Sequence, residues 1–68
     1  MITVHINGEK RKFKKTTTID EILKSLKIDK RLVVVEVNYK VIKKEMLHKV
    51  FIKDKDSIEI VQFVGGGV

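Results

Sequence analysis

The chain has 68 residues and no Cys, with fifteen Lys and Arg against nine Asp and Glu for a net charge of +6. That length allows one domain with a small core, and the absent Cys excludes disulfides, thiolate metal sites and thiol catalysis. A catalytic pocket of ordinary size is hard to enclose in so small a body, so a binding or carrier module is expected. No apolar run nears the ~20 residues that span a bilayer, and no membrane association is expected. The start MITVHINGEKRKF has no apolar signal-peptide region. A cysteine-free domain held by packing suits a reducing cytoplasm, the expected location.

Ile2, Val4 and Ile6 alternate with Thr3, His5 and Asn7, the period-two pattern of a half-buried strand. Asn7-Gly8 then signals a type I′ hairpin turn, because both residues tolerate positive φ. Lys10 to Lys15 is expected to return as an edge strand whose dense Lys discourages edge pairing. Thr18 is a candidate N-cap, and Glu21 three residues later completes a capping box. Ile19, Ile22, Leu23 and Leu26 recur at helical spacing, which predicts a helix from Ile19 to Lys27 with Ile28 tucked behind it.

Leu32 to Val37 is an apolar, β-branched run broken only by Glu36, read as a central strand covered on both faces. Asn38-Tyr39 starts a turn, and Val41-Ile42 is short and extended. Lys44 to His48 forms one irregular or helical turn, Val50 to Ile52 a brief strand, and Lys53 to Asp56 a charged turn. Ser57 to Val64 is the last strand, followed by Gly65, Gly66, Gly67 and Val68. One helix covers only one face of a sheet. The order therefore predicts an α+β domain of β-grasp, ubiquitin-like type: a mixed four- to five-stranded sheet on one main helix. Residues 1–64 are the domain and residues 65–68 a flexible glycine tail.

Little in the chain suggests catalysis. His5 and His48 are far apart with no neighbouring ligand pattern, so no metal site is expected. The glycines lack the following helix and the Lys-Ser/Thr of a phosphate loop. The strip Lys10-Arg11-Lys12-Phe13-Lys14-Lys15 reads either as a phosphate-contacting surface or as a solvated edge strand. Nucleic acid is the less favoured partner, because the chain has few aromatic platforms and its cations are mostly Lys. Alternation in the last strand separates Ile58, Ile60 and Val64 from Val61 and Phe63. Either the segment Tyr39 to Lys49 folds over the second set, or Val61, Phe63 and Val64 lie near an exposed patch that docks a partner. A glycine tail can thread a narrow channel and deliver a terminal carboxylate into another protein's site.

The stretches HINGEKRKF, TTIDEILKSL, VVVEVNYKVIKKEML and DKDSIEIVQFVGGG together resemble the ThiS family, sulfur carriers of thiazole formation in thiamin biosynthesis. The resemblance implies that a ubiquitin-activating-like adenylyltransferase uses ATP to adenylate a terminal Gly carboxylate, here that of Gly67. Sulfur, ultimately from a cysteine desulfurase, then gives a thiocarboxylate whose sulfur thiazole synthase takes up. It implies a protein cosubstrate with no bound cofactor, not an enzyme. A similar Gly-Gly end marks the small subunit of molybdopterin synthase, the alternative within the fold. A basic nucleic-acid-binding module is the alternative outside it. Many family members carry Gly where this chain has Lys55 in the acidic turn, and end on Gly where this chain continues to Val68.

Overall fold

A computed structural model describes residues 1–62. Its strands are β1 (Ile2–Ile6), β2 (Glu9–Phe13), β3 (Val33–Val37), β4 (Lys40–Ile42) and β5 (Ser57–Gln62), with one α-helix, α1 (Ile19–Ser25). The five strands form a mixed sheet in the order β2-β1-β5-β3-β4. β1 runs parallel to β5 and antiparallel to β2, and β3 is antiparallel to both β5 and β4. The β-grasp expectation holds, and β2 is an edge strand as its Lys content implies.

The Asn7-Gly8 turn has the positive φ values expected of it, 50° and 87°. A second hairpin turn, at Asn38-Tyr39, has φ of 51° and 70° and feeds β4. Helix α1 starts at the predicted cap: Thr18 Oγ1 accepts from the Glu21 N–H at 3.2 Å, and the Glu21 carboxylate accepts from the Thr18 N–H at 2.8 Å. The helix stops at Ser25, short of the predicted Lys27. Lys27 takes a left-handed φ of 60°, its N–H bonds the Lys24 carbonyl, and the Ile28 N–H bonds the Leu23 carbonyl. This double closure ends a helix and is usually built with Gly. No Gly marks it here, so apolar periodicity alone overran the end.

The core joins Ile19, Ile22 and Leu23 of α1 to Val4, Ile6, Val33, Val35 and Ile58 of the sheet. Leu47 and Ile52 complete it from the excursion between β4 and β5. That excursion contains a 3-10 turn, Lys44–Met46, and runs past the start of α1. The Ile19 N–H bonds the Val50 carbonyl, and the Asp20 N–H bonds the Leu47 carbonyl. The brief strand expected at Val50 to Ile52 is reduced to a single bridge between Phe51 and Thr18.

β3 is an interior strand, between β5 and β4, as expected, but it is not covered on both faces. β3 buries Val33 and Val35 but leaves Val34 and Glu36 partly exposed, because α1 and the excursion both lie on the same face. A continuous apolar run looks two-sided in sequence even when its neighbours cover one side.

Candidate docking face and tail-bearing strand

β5 is the strand that runs toward the glycines, and its position is fixed from both sides. On the β1 side, the Asn7 N–H bonds the Ile58 carbonyl at 2.9 Å. The Asn7 side chain then donates to the Ile60 carbonyl at 3.2 Å and accepts from the Ile60 N–H at 2.7 Å. On the β3 side, the Asn38 N–H bonds the Ser57 carbonyl at 2.7 Å, and Asn38 Oδ1 accepts from the Ser57 N–H at 3.0 Å. Each Asn sits in a hairpin turn with positive φ and holds β5 with both its backbone N–H and its side chain.

Asp56 anchors the start of β5. It is buried, and its carboxylate accepts from the Lys53 N–H at 2.7 Å and from Asn38 Nδ2 at 2.9 Å. A buried carboxylate is tolerable only with such partners. The preceding turn is tied to β1, with the Thr3 N–H donating to Asp54 at 2.8 Å and the Lys55 N–H to the Thr3 carbonyl at 2.7 Å. Lys55 adopts a φ of 72°, the conformation for which Gly is best suited.

The sheet has an inner face on α1 and an outer face that no other described element covers. Register places Val61 opposite Val34, Glu59 opposite Glu36, and Val41 on the other side of Glu36. Residues directly opposite one another share a face, so these five form one surface. Val41 and Val61 are 63% and 53% exposed. The excursion from Tyr39 to Lys49 does not cover Val61, because it buries Leu47 on the helix side instead. The outer face on β1 and β2 is basic, with Lys10 opposite His5 and Lys12 opposite Thr3. Arg11, opposite Val4, belongs to the other face and pairs with Glu9 at 3.5 Å. The Lys/Arg run is thus divided between two faces, and Phe13 packs partly against the core.

Of the candidate site residues, only Val61 falls within residues 1–62. Phe63, Val64, Gly65, Gly66 and Gly67, with the proposed tail as a whole, lie outside the described residues. Sequence reasoning missed the two Asn clamps and the facing Glu36 and Glu59. The Asn-Gly and Asn-Tyr pairs signalled turns, but which distant strand their side chains hold is not encoded locally. Among the described residues, no three His, Asp or Glu gather as metal ligands, and no helix is long and apolar enough to cross a membrane.

A sequence model of the ThiS family matches residues 4–67. The chain belongs to the ThiS family. It is 46% identical over 65 residues to the sulfur carrier protein ThiS of Bacillus subtilis, covering 94% of this chain and 98% of that one. It is 42% identical over 62 residues to a segment of the thiazole synthase of Paramagnetospirillum magneticum, covering 91% of this chain but 19% of that protein. The crystal structure of the ThiS thiamine biosynthesis protein from Geobacter metallireducens superposes with a TM-score of 0.82 at 29% identity, covering 97% of this chain and all of that one. Family and fold together are those of a sulfur carrier of thiamin biosynthesis.

Proposed function

We propose that this chain carries sulfur for thiazole formation on the carboxylate of Gly67, as a protein cosubstrate rather than an enzyme. The observation that carries the reading is the family match, which spans nearly the whole chain and ends at Gly67. A carboxylate is a poor electrophile. A ubiquitin-activating-like partner would use ATP to convert it to an acyl adenylate, with pyrophosphate released. A sulfide-equivalent nucleophile, drawn ultimately from a cysteine desulfurase, then displaces AMP and leaves a thiocarboxylate. Thiazole synthase is the acceptor, and the resemblance of this chain to part of one such enzyme supports that branch over molybdopterin synthesis. ATP belongs to the adenylating partner, and the carrier works in the cytoplasm with these enzymes.

In this reading the fold holds the root of the tail still while the glycines pass into a partner's channel. The hydrogen bonds from Asn7 and Asn38 to β5 supply that anchorage. Val61, with Phe63 and Val64 beyond it, supplies apolar contact beside the tail. The reading requires a chain whose terminal carboxylate is that of Gly67.

The test is incubation of two forms, one ending at Gly67 and one at Val68, with ATP, the host's adenylating enzyme and a sulfur source. Mass spectrometry is expected to find one oxygen replaced by sulfur in the first form and none in the second. A Gly67-ended chain that is never adenylated would overturn the reading.

A further inference from the structure

The first hairpin and the turn before β5 enclose a cleft of about 490 Å³, lined by Thr3 and His5 of β1, Lys10 of β2, and Asp54 and Lys55 of the turn. Thr3 and His5 form its half-buried floor. Lys10 stands on one side, opposite His5, and Lys12 continues that side opposite Thr3. The other side is the turn itself, which three hydrogen bonds tie along β1. The Thr3 N–H donates to Asp54 Oδ1 at 2.8 Å, the Lys55 N–H to the Thr3 carbonyl at 2.7 Å, and the His5 N–H to the Asp56 carbonyl at 2.9 Å. Backbone pairing therefore fixes both walls before any ligand arrives.

The two walls are cationic. None of the ion pairs among the described residues involves Lys10, Lys12 or Lys55. Lys55 also holds its place against its backbone: its φ is 72°, a region that disfavours L-residues and suits Gly. The turn does not require a Lys there, since its ties to β1 use backbone groups and the Asp54 carboxylate. Strain retained at such a position points to function. The Thr3 hydroxyl and the His5 imidazole add hydrogen-bond donors to the ammonium groups. Asp54 is the one acidic side chain in the lining. Ammonium groups hold phosphate as point charges, while a carboxylate repels a bare anion but accepts from a hydroxyl. The volume lies within the range of small-ligand sites and leaves room for an organic group beside a phosphate.

We propose that this cleft binds a small phosphate monoester bearing a hydroxyl. The phosphate sits between Lys10 and Lys55, with Thr3 and His5 donating from the floor, and the hydroxyl donates to Asp54. The site lies at the start of β5. Gln62, at the other end of that strand, is roughly 17 Å away at ~3.3 Å per residue. A bound ester thus joins the first hairpin to the beginning of β5 and stabilises the fold by mass action, without covering Val61. The proposal does not depend on the carrier reading.

The test is amide NMR of the isotope-labelled protein during titration with glycerol phosphate, with inorganic phosphate and glycerol as separate arms and chloride holding ionic strength constant. Saturable shifts confined to residues 3–5, 10–12 and 53–56 are expected with glycerol phosphate, and none with glycerol. Inorganic phosphate is expected to bind the same residues about threefold more weakly, for want of the hydroxyl contact. Lys10→Gln and Lys55→Gly are each expected to weaken binding of the ester about fivefold, the upper range for an exposed charge pair. The melting temperature of Lys55→Gly is expected to equal or exceed that of the parent, which separates lost binding from lost fold. Shifts that fail to saturate, or that extend equally to Lys24, Lys27 and Lys30, overturn the proposal. So does inorganic phosphate binding as tightly as the ester, or unchanged affinity in both variants.

Discussion

Asn7 holds Ile60 by both of its backbone polar groups, giving a hydrogen bond to the carbonyl and taking one from the N–H across 53 positions of sequence. The pairing of β1 with β5 ends at Ile6 and Ile58, so the Asn side chain extends the ladder by one more step. It substitutes for backbone that has turned away into the hairpin.

Asn7→Asp isolates half of this clamp. Asp tolerates the same turn and still accepts from the Ile60 N–H, but its ionised carboxylate cannot donate to the carbonyl. We expect a loss of about 1–2 kcal/mol, a missing hydrogen bond plus repulsion between two acceptors. Urea denaturation reads the loss, and an unchanged midpoint would show that the second bond contributes nothing.

Lys55 has a φ of 72°, and its N–H bond to Thr3 is a backbone contact that any non-Pro residue can make. A left-handed conformation costs an ordinary L-residue ~1–2 kcal/mol, against ~0.4–1 kcal/mol for the greater unfolded-state freedom of Gly. Lys55→Gly is therefore expected to stabilise the fold by about 0.5 kcal/mol in the same denaturation. A clear destabilisation would mean that the Lys side chain contributes more than the turn costs.

Asp29 and Arg31 form an exposed pair 2.8 Å apart at the start of a 3-10 turn. Hydrogen bonds from the Arg31 side chain, then from its backbone N–H, lower the Asp29 pKa from 3.8 to about 2. A folded value below the unfolded one means the pair favours folding above pH 3.8 and loses that effect as pH falls toward 2. Carboxyl NMR titration is expected to place the Asp29 midpoint near 2. Arg31→Ala should raise the midpoint most of the way to the ordinary value, since only the backbone N–H remains as donor.

Val61 is 53% exposed on the outer face. Val61→Ser should change folding stability by no more than about 0.5 kcal/mol, the usual range at a surface site. It should nevertheless weaken binding to the adenylating partner, measured by calorimetry with the carrier ending at Gly67. Unchanged binding would remove Val61 from the docking surface.

The sequence by itself determined the elements whose signals are local. Thr18 and Glu21 specify the helix start because a capping box closes within four residues. Asn7-Gly8 specifies the first hairpin because the turn needs positive φ at two adjacent positions. Apolar period gave most of the core, and the stretches resembling ThiS carried the family. The helix end at Ser25 escaped because the chain closes it through a left-handed Lys27 and not a Gly. Tertiary structure alone decided that β5 is central and that Asn7 and Asn38 grip it. It also decided that the excursion buries Leu47 beside α1 and leaves the outer face open. The reason is range: each of these depends on which distant strand or helix supplies the partner. A residue's neighbours in sequence settle its backbone conformation well before they settle what its side chain meets.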